Sequence, residues 1–135
     1  MPKKSLGQHF LKNKSAIQKI ISSLELKSGE TIVEIGPGKG ALTIPLIEEC
    51  RKASCNFFAI EKDVTLADQL RHKGMLEVMA GDALKEIPKI AKNIKNYKVV
   101  GNIPYYITGK LLRILGELNP PAGGKPTLTV LTIQK

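Results

Sequence analysis

The feature that most constrains this chain is a short β-branched run, Thr31 to Ile35, that passes directly into Gly36-Pro37-Gly38-Lys39-Gly40. A strand that breaks at closely spaced glycines and gives way to a helix is a building unit of α/β sheets, because glycine supplies the backbone conformations such a turn requires. The unit recurs. Asn56 to Ile60 ends at Glu61, Leu76 to Ala80 leads to Asp82, and Tyr97 to Gly101 runs into Asn102-Ile103-Pro104-Tyr105, while Leu128 to Ile133 reads as a fifth strand. Helices are predicted between them. The first follows Ser15, which with Gln18 makes a capping-box pattern, and places Ile17, Ile20, Ile21 and Leu24 on one stripe. The second turns Leu42, Leu46 and Ile47 inward, with Pro45 near its first turn, where a missing N–H costs least. Others are expected over 64–73, 84–95 and 108–118, with residues 1–12 an extended basic arm and Pro120 to Pro126 a loop. Strands alternating with helices predict an α/β fold: a mainly parallel sheet with helices on both faces.

The 135 residues suit one domain with a real core, and 42% apolar with 24% charged residues excludes a disordered or fibrous chain. The net charge of +9 is the unusual bulk property and favours a polyanionic partner. It is unevenly spread: no acid falls between Ile87 and Gly116, where Lys89, Lys92, Lys95, Lys98, Lys110 and Arg113 lie. Lys89, Lys92 and Lys95 are the candidate phosphate contacts. A solvated lysine face is the plain alternative. No apolar run is long enough to span a bilayer and no signal segment is visible, so a cytoplasmic protein without a membrane partner is expected. Cys50 and Cys55 match no zinc or redox spacing, and His9 and His72 lack companions for a metal site, so no metal is expected.

Ligands of open parallel sheets bind outside the carboxyl ends of the strands. Gly36 to Gly40 would let a nucleotide cofactor lie against bare backbone. The run is neither the dinucleotide fingerprint nor a P-loop. Glu61, about 20 residues further on at the end of the second strand, is placed to accept from ribose hydroxyls. Asp82 can accept from an adenine amine, or cap the helix that follows, or both. Asn102 to Tyr105 carries the chemistry. The lone pair of an exocyclic adenine amine is delocalised into the ring. An acceptor pair, the Asn102 side-chain oxygen and the Ile103 carbonyl, would return electron density to that nitrogen. Pro104 would stiffen the turn, and Tyr105 would offer a face for a flipped base.

These residues resemble the ribosomal RNA adenine dimethyltransferase family. The resemblance rests on Gly7 to Leu11, Glu34 to Gly38, Ile60 to Asp63, Gly81 to Ala83 and Gly101 to Thr108, five pieces in order over nearly the whole chain. It implies a Rossmann-like fold and S-adenosyl-L-methionine as cofactor. The substrate would be ribosomal RNA of the small-subunit precursor, its adenosines methylated at N6, with a monomeric full-length protein. It further implies that His9 and Leu11 close over the cofactor and Gly36 lies along its methionine end. Glu61 would hold the ribose, Asp82 the adenine amine, and Asn102 both cofactor region and target base. Many relatives have Asn where this chain has His9; a backbone contact would survive that change.

The family pattern continues beyond Lys135 into further strands and a small helical domain. Residues 1–135 are therefore read as the N-terminal part of the methyltransferase domain. The uncharged edge from Thr127 to Ile133 is expected to make this segment alone self-associate and work poorly. Two alternatives stand beside the main reading. One is a large-subunit RNA adenine methyltransferase of the antibiotic-resistance type; the other is a non-catalytic RNA-binding assembly factor on the same fold.

Overall fold

The computed structural model describes residues 13–118 and 124–134. His9 and Leu11 lie outside them. In chain order the elements are α1 (Lys14–Leu24), β1 (Thr31–Ile35), α2 (Thr43–Ala53), β2 (Asn56–Glu61), α3 (Val64–His72), β3 (Val78–Ala80), α4 (Ala83–Ala91), β4 (Tyr97–Pro104), α5 (Tyr105–Glu117) and β5 (Leu128–Gln134). The five strands form one sheet in the order β3-β2-β1-β4-β5, with every pair parallel.

Side-chain alternation along the strands divides the apolar residues between the two faces of the sheet. Ile32 of β1 and Val100 of β4 pack with Ile17, Ile20, Ile21 and Leu24 of α1 and with Leu42, Leu46 and Cys50 around α2. Their neighbours Val33, Ile35, Val99 and Ile103 pack with Ile87 and Ala91 of α4 and with Leu111 and Leu115 of α5. A smaller cluster seats Ala67 and Leu70 of α3 against Ala59 and Val78. β1 is buried along its whole length, as a central strand covered on both sides must be.

Several boundaries differ from the expectation, each for a local reason. The cap of α1 is Asn13, not Ser15: the Asn13 amide oxygen accepts from the N–H groups of Ser15 (2.9 Å) and Ala16 (3.4 Å). β3 starts at Val78 because Leu76 is 73% exposed and so cannot belong to a covered strand. α4 stops at Ala91, which leaves Lys92 as its cap and Lys95 in the bend before β4. α5 starts three residues early. Pro104, at φ −62° and ψ 144°, closes β4 and caps the helix at once, so helix follows strand with no loop between them.

In the order 3-2-1-4-5, the chain runs outward from β1 to β2 and β3, then crosses back to place β4 on the other side of β1. The carboxyl ends of β1 and β4 therefore flank the crevice where open sheets take ligands. The two strands approach closely there. A Cβ on Gly101 would come within 2.7 Å of the Ile35 carbonyl, so only glycine fits beside the end of β1.

Candidate functional site

Of the sequence-predicted residues within the described segments, Gly36, Glu61, Asp82, Asn102 and Pro104 lie at or just beyond the ends of strands, and these five converge. A cleft of about 260 Å³ is lined by Gly36 from the β1 turn, Glu61 and Lys62 after β2, and Gly81 to Leu84 after β3. Asn102 to Pro104, Tyr106 and Ile107 complete it from β4 and α5, over a floor that includes Ile35 and Ile60. Larger surface hollows exist elsewhere, and this cleft gathers the ends of β1, β2, β3 and β4.

The glycine turn is built to leave space. Gly36 and Gly38 have φ of +67° and +59°, a region L side chains rarely adopt, and a Cβ on Gly36 would sit 3.7 Å from the Asn102 carbonyl. Neighbouring strands hold the turn in place. The Gly36 N–H donates to the Ile60 carbonyl (2.9 Å), and the Gly38 N–H to Glu61 Oε1 (2.8 Å). Glu61 also accepts from the Asp63 N–H through Oε2 (3.0 Å), and the residue is only 7% exposed. Among the described residues it makes no ion pair with Lys62. Each of its oxygens keeps acceptor capacity for a ligand hydroxyl.

Asp82 caps α4 by accepting from the Leu84 N–H (3.0 Å) and faces the cleft as well. Asn102 differs from both acids. It is 7% exposed, and its Oδ1 is buried with no hydrogen-bond partner among the described residues. An orphaned buried acceptor costs about 1–3 kcal/mol, and at a cleft such an atom can accept from a donor outside the fold.

The structure separates the two tyrosines that follow. Tyr106 lines the cleft, whereas Tyr105 stands outside it, 64% exposed, with its ring edge-on to Tyr106 at 5.8 Å and 85°. Lys89, Lys92 and Lys95 are exposed on and just beyond α4, none of them lining the cleft, and Lys89 lies 3.7 Å from Glu86.

Sequence reasoning named Glu34 within the glycine motif but gave it no role. Its carboxyl lies fully buried under the turn, where Thr43 Oγ1 donates to Oε1 at 2.6 Å. Burial pushes its pKa up to about 8; the Thr43 bond opposes that rise and the charge of Glu61 adds to it. Lys62, Leu84, Tyr106 and Ile107 were also missed as lining residues. The one available signal was the doubled aromatic after Pro104.

Among the described residues no helix is long and apolar enough to cross a membrane, and no group of three or more His, Cys, Asp or Glu could hold a metal ion.

Comparison with known proteins follows the same geometry. Residues 2–130 match the model of the ribosomal RNA adenine dimethylase family. Among curated relatives, a "Ribosomal RNA small subunit methyltransferase A" of Prochlorococcus marinus (strain NATL1A) is 37% identical over all of this chain and 47% of its own length. The protein of that name from Prosthecochloris aestuarii (strain DSM 271 / SK 413) is 43% identical over 82% of this chain and 41% of its own. The chain thus spans less than half the length of these relatives. Among solved structures, the 23S rRNA methyltransferase ErmE superposes with a TM-score of 0.65 at 29% identity, covering 87% of this chain and 46% of that one. Coclaurine N-methyltransferase, solved with N-methylheliamine and SAH, shares the fold at TM-score 0.53 and 17% identity, over 81% of this chain and 33% of its own. A strand order, a glycine turn and an orphaned asparagine at a switch-point cleft, together with a family match over nearly every residue, place this chain in the ribosomal RNA adenine dimethylase family.

Proposed function

We propose that this chain forms the cofactor-binding and catalytic front of an S-adenosyl-L-methionine-dependent enzyme that methylates adenosine N6 in small-subunit ribosomal RNA in the cytoplasm. The observation that carries the reading is the buried Asn102 Oδ1, left without a partner at the mouth of the switch-point cleft. The residues present fit the cofactor. The bare backbone at Gly36 gives its methionine end room, Glu61 has acceptor capacity for ribose hydroxyls, and Asp82 faces the cleft for an adenine amine. When bound, S-adenosylmethionine supplies a methyl group already activated on a sulfonium.

The chain's own task is then to align and polarise. Asn102 Oδ1 accepts from the N6 amine and draws electron density back to that nitrogen, an interaction that strengthens as the nitrogen becomes nucleophilic. Pro104 fixes the step from β4 into α5 and so the angle at which Asn102 meets the base. Tyr105, exposed beside the cleft, provides an aromatic face for the extruded base. Orientation of this kind needs no metal and no covalent nucleophile.

The test is Asn102→Ala in the protein expressed from its complete reading frame. By analogy with loss of one transition-state hydrogen-bond partner, the methylation rate should fall about 10²- to 10³-fold while RNA affinity changes little. A full single-turnover rate in the variant would overturn the assignment.

A further inference from the structure

We propose that the outward face of α5 is a track for the single-stranded RNA segment adjoining the target adenosine, an inference that rests on the function proposed above. Helical spacing puts Tyr106, Lys110 and Arg113 on one stripe, at i, i+4 and i+7, with Gly109 beside them. All four are exposed, and the stripe runs roughly 10 Å along the helix. Its upper end is continuous with the cleft, because Tyr106 lines the cleft wall and is nonetheless 67% exposed. A helix carrying two exposed tyrosines in edge-to-face contact, with Leu112 also 51% exposed, presents apolar surface that water covers poorly.

Charge selects the occupant. From Ile87 to Gly116 there is no acidic residue, and among the described residues neither Lys110 nor Arg113 enters an ion pair. Cations alone would suit any polyanion. Cations interleaved with exposed rings suit one whose bases are unstacked and free to lie on an aromatic face, which a duplex does not offer. Gly109 adds a structural reason: a Cβ there would meet nothing within 4 Å, so neither packing nor backbone conformation requires glycine. Its bare surface leaves the strand able to approach the helix between Tyr106 and Arg113.

Three variants of the protein from its complete reading frame test this against a single-stranded RNA oligonucleotide containing adenosine. Tyr106→Ala should weaken binding about 5- to 150-fold, the range for losing one base–aromatic stack. Lys110→Gln with Arg113→Gln should lower the slope of log affinity against log salt by about 1.4, or roughly 0.7 per phosphate neutralised. Gly109→Glu raises helix propensity, so the fold is retained, yet it puts a carboxylate in the track and should cut RNA affinity at least about tenfold. Cofactor affinity, read by calorimetry, should stay unchanged in the Lys110→Gln/Arg113→Gln and Gly109→Glu variants, whose positions do not line the cleft. RNA affinity and salt slope equal to wild type in these variants would overturn the track. So would equal losses on inorganic polyphosphate after Tyr106→Ala, since that would mark a bare anion face. A protein that binds cofactor but methylates no RNA would defeat the proposed function instead.

Discussion

The two ends of β4 treat buried polar groups in opposite ways. Near its start, Lys98 is 6% exposed, and its ammonium donates to the carbonyls of Leu24 (2.5 Å) and Glu25 (2.8 Å) and pairs with Glu30 at 3.0 Å. Every partner comes from the protein itself. Four residues later, Asn102 is buried to a similar degree and its side-chain oxygen has none among the described residues. The strand, the sheet and the burial are shared; the hydrogen-bond partners are not. At the amino end the fold completes its own hydrogen bonds and ties α1 to the sheet. At the carboxyl end it leaves an acceptor unpaired, the one we propose an incoming amine fills.

The contrast is broken most severely at Lys98. Lys98→Ala strips a buried carboxylate and two carbonyls at the C-terminal end of α1 of their common donor. Removing one partner of a buried pair costs about 3–5 kcal/mol, and urea unfolding should show a loss of that size. Asn102→Ala should change stability by less than about 1 kcal/mol or even raise it, because Oδ1 gives up no hydrogen bond within the fold. If the two variants were equally destabilised, the division between a self-satisfied end and an open end would fail.

A second prediction concerns Glu34, which lies below the open end. Its folded pKa is raised to about 8, whereas an unfolded carboxyl titrates near 4.5. Between those values the folded chain holds a proton that the unfolded chain has released. The stability associated with Glu34 is therefore complete below about pH 4.5. It declines as pH rises toward 8 and is level above that. Glu34→Gln mimics the protonated acid and can still accept from Thr43. It should flatten this slope and stabilise the chain by a few kcal/mol at pH 8, with little change at pH 5. Melting temperatures across that range would check it; an unaltered slope would show that Glu34 is charged in the folded chain.

The next effect is smaller and is read in binding. Glu61→Ala should weaken S-adenosylmethionine about 10- to 100-fold, as expected for a hydrogen bond to a charged group. The structure sharpens the reason. The carboxylate braces Gly38 and Asp63 as well as facing the cleft, so its loss also loosens the glycine turn. Glu61→Gln keeps one acceptor and should recover part of the affinity. Calorimetry showing unchanged binding in both variants would remove Glu61 from the site.

These elements differ in how far the sequence disclosed them. β1 and β4 were legible because their β-branched and apolar residues, Thr31 to Val33 with Ile35 and Tyr97 with Val99 and Val100, end in glycine or polar motifs. The convergence of Gly36, Glu61, Asp82 and Asn102 followed from the order of those motifs and the general rule for open sheets. What stayed hidden depends on contacts between distant segments. Nothing near Glu34 in sequence announces that Thr43 folds back onto it. Nor can a sequence show that Asn102 lacks a partner, since that requires knowing every neighbour. Boundary errors had local causes: Pro104 starts α5 earlier than periodicity indicated, and the apolar Leu76 suggested a longer β3 than burial permits.

The smallest effect is expected away from both ends of β4. Lys89, Lys92 and Lys95 lie on and just beyond α4, which packs against the same face of the sheet as α5. We propose that they extend the basic surface beside the cleft, reaching phosphates without touching the reacting base. Lys89 is 3.7 Å from Glu86, an i, i+3 pair between an exposed lysine and a half-buried carboxylate that partly offsets its charge and contributes little to stability. Replacing all three lysines with Gln should leave folding and cofactor affinity unchanged and lower the salt slope of RNA binding by at most about 2, roughly 0.7 for each phosphate no longer neutralised. Because these lysines do not line the cleft, the methylation rate at saturating RNA should hold. A fall in that rate with an unchanged slope would mean that α4 acts on the cleft itself, and the separation between phosphate-binding surface and catalytic end would have to be given up.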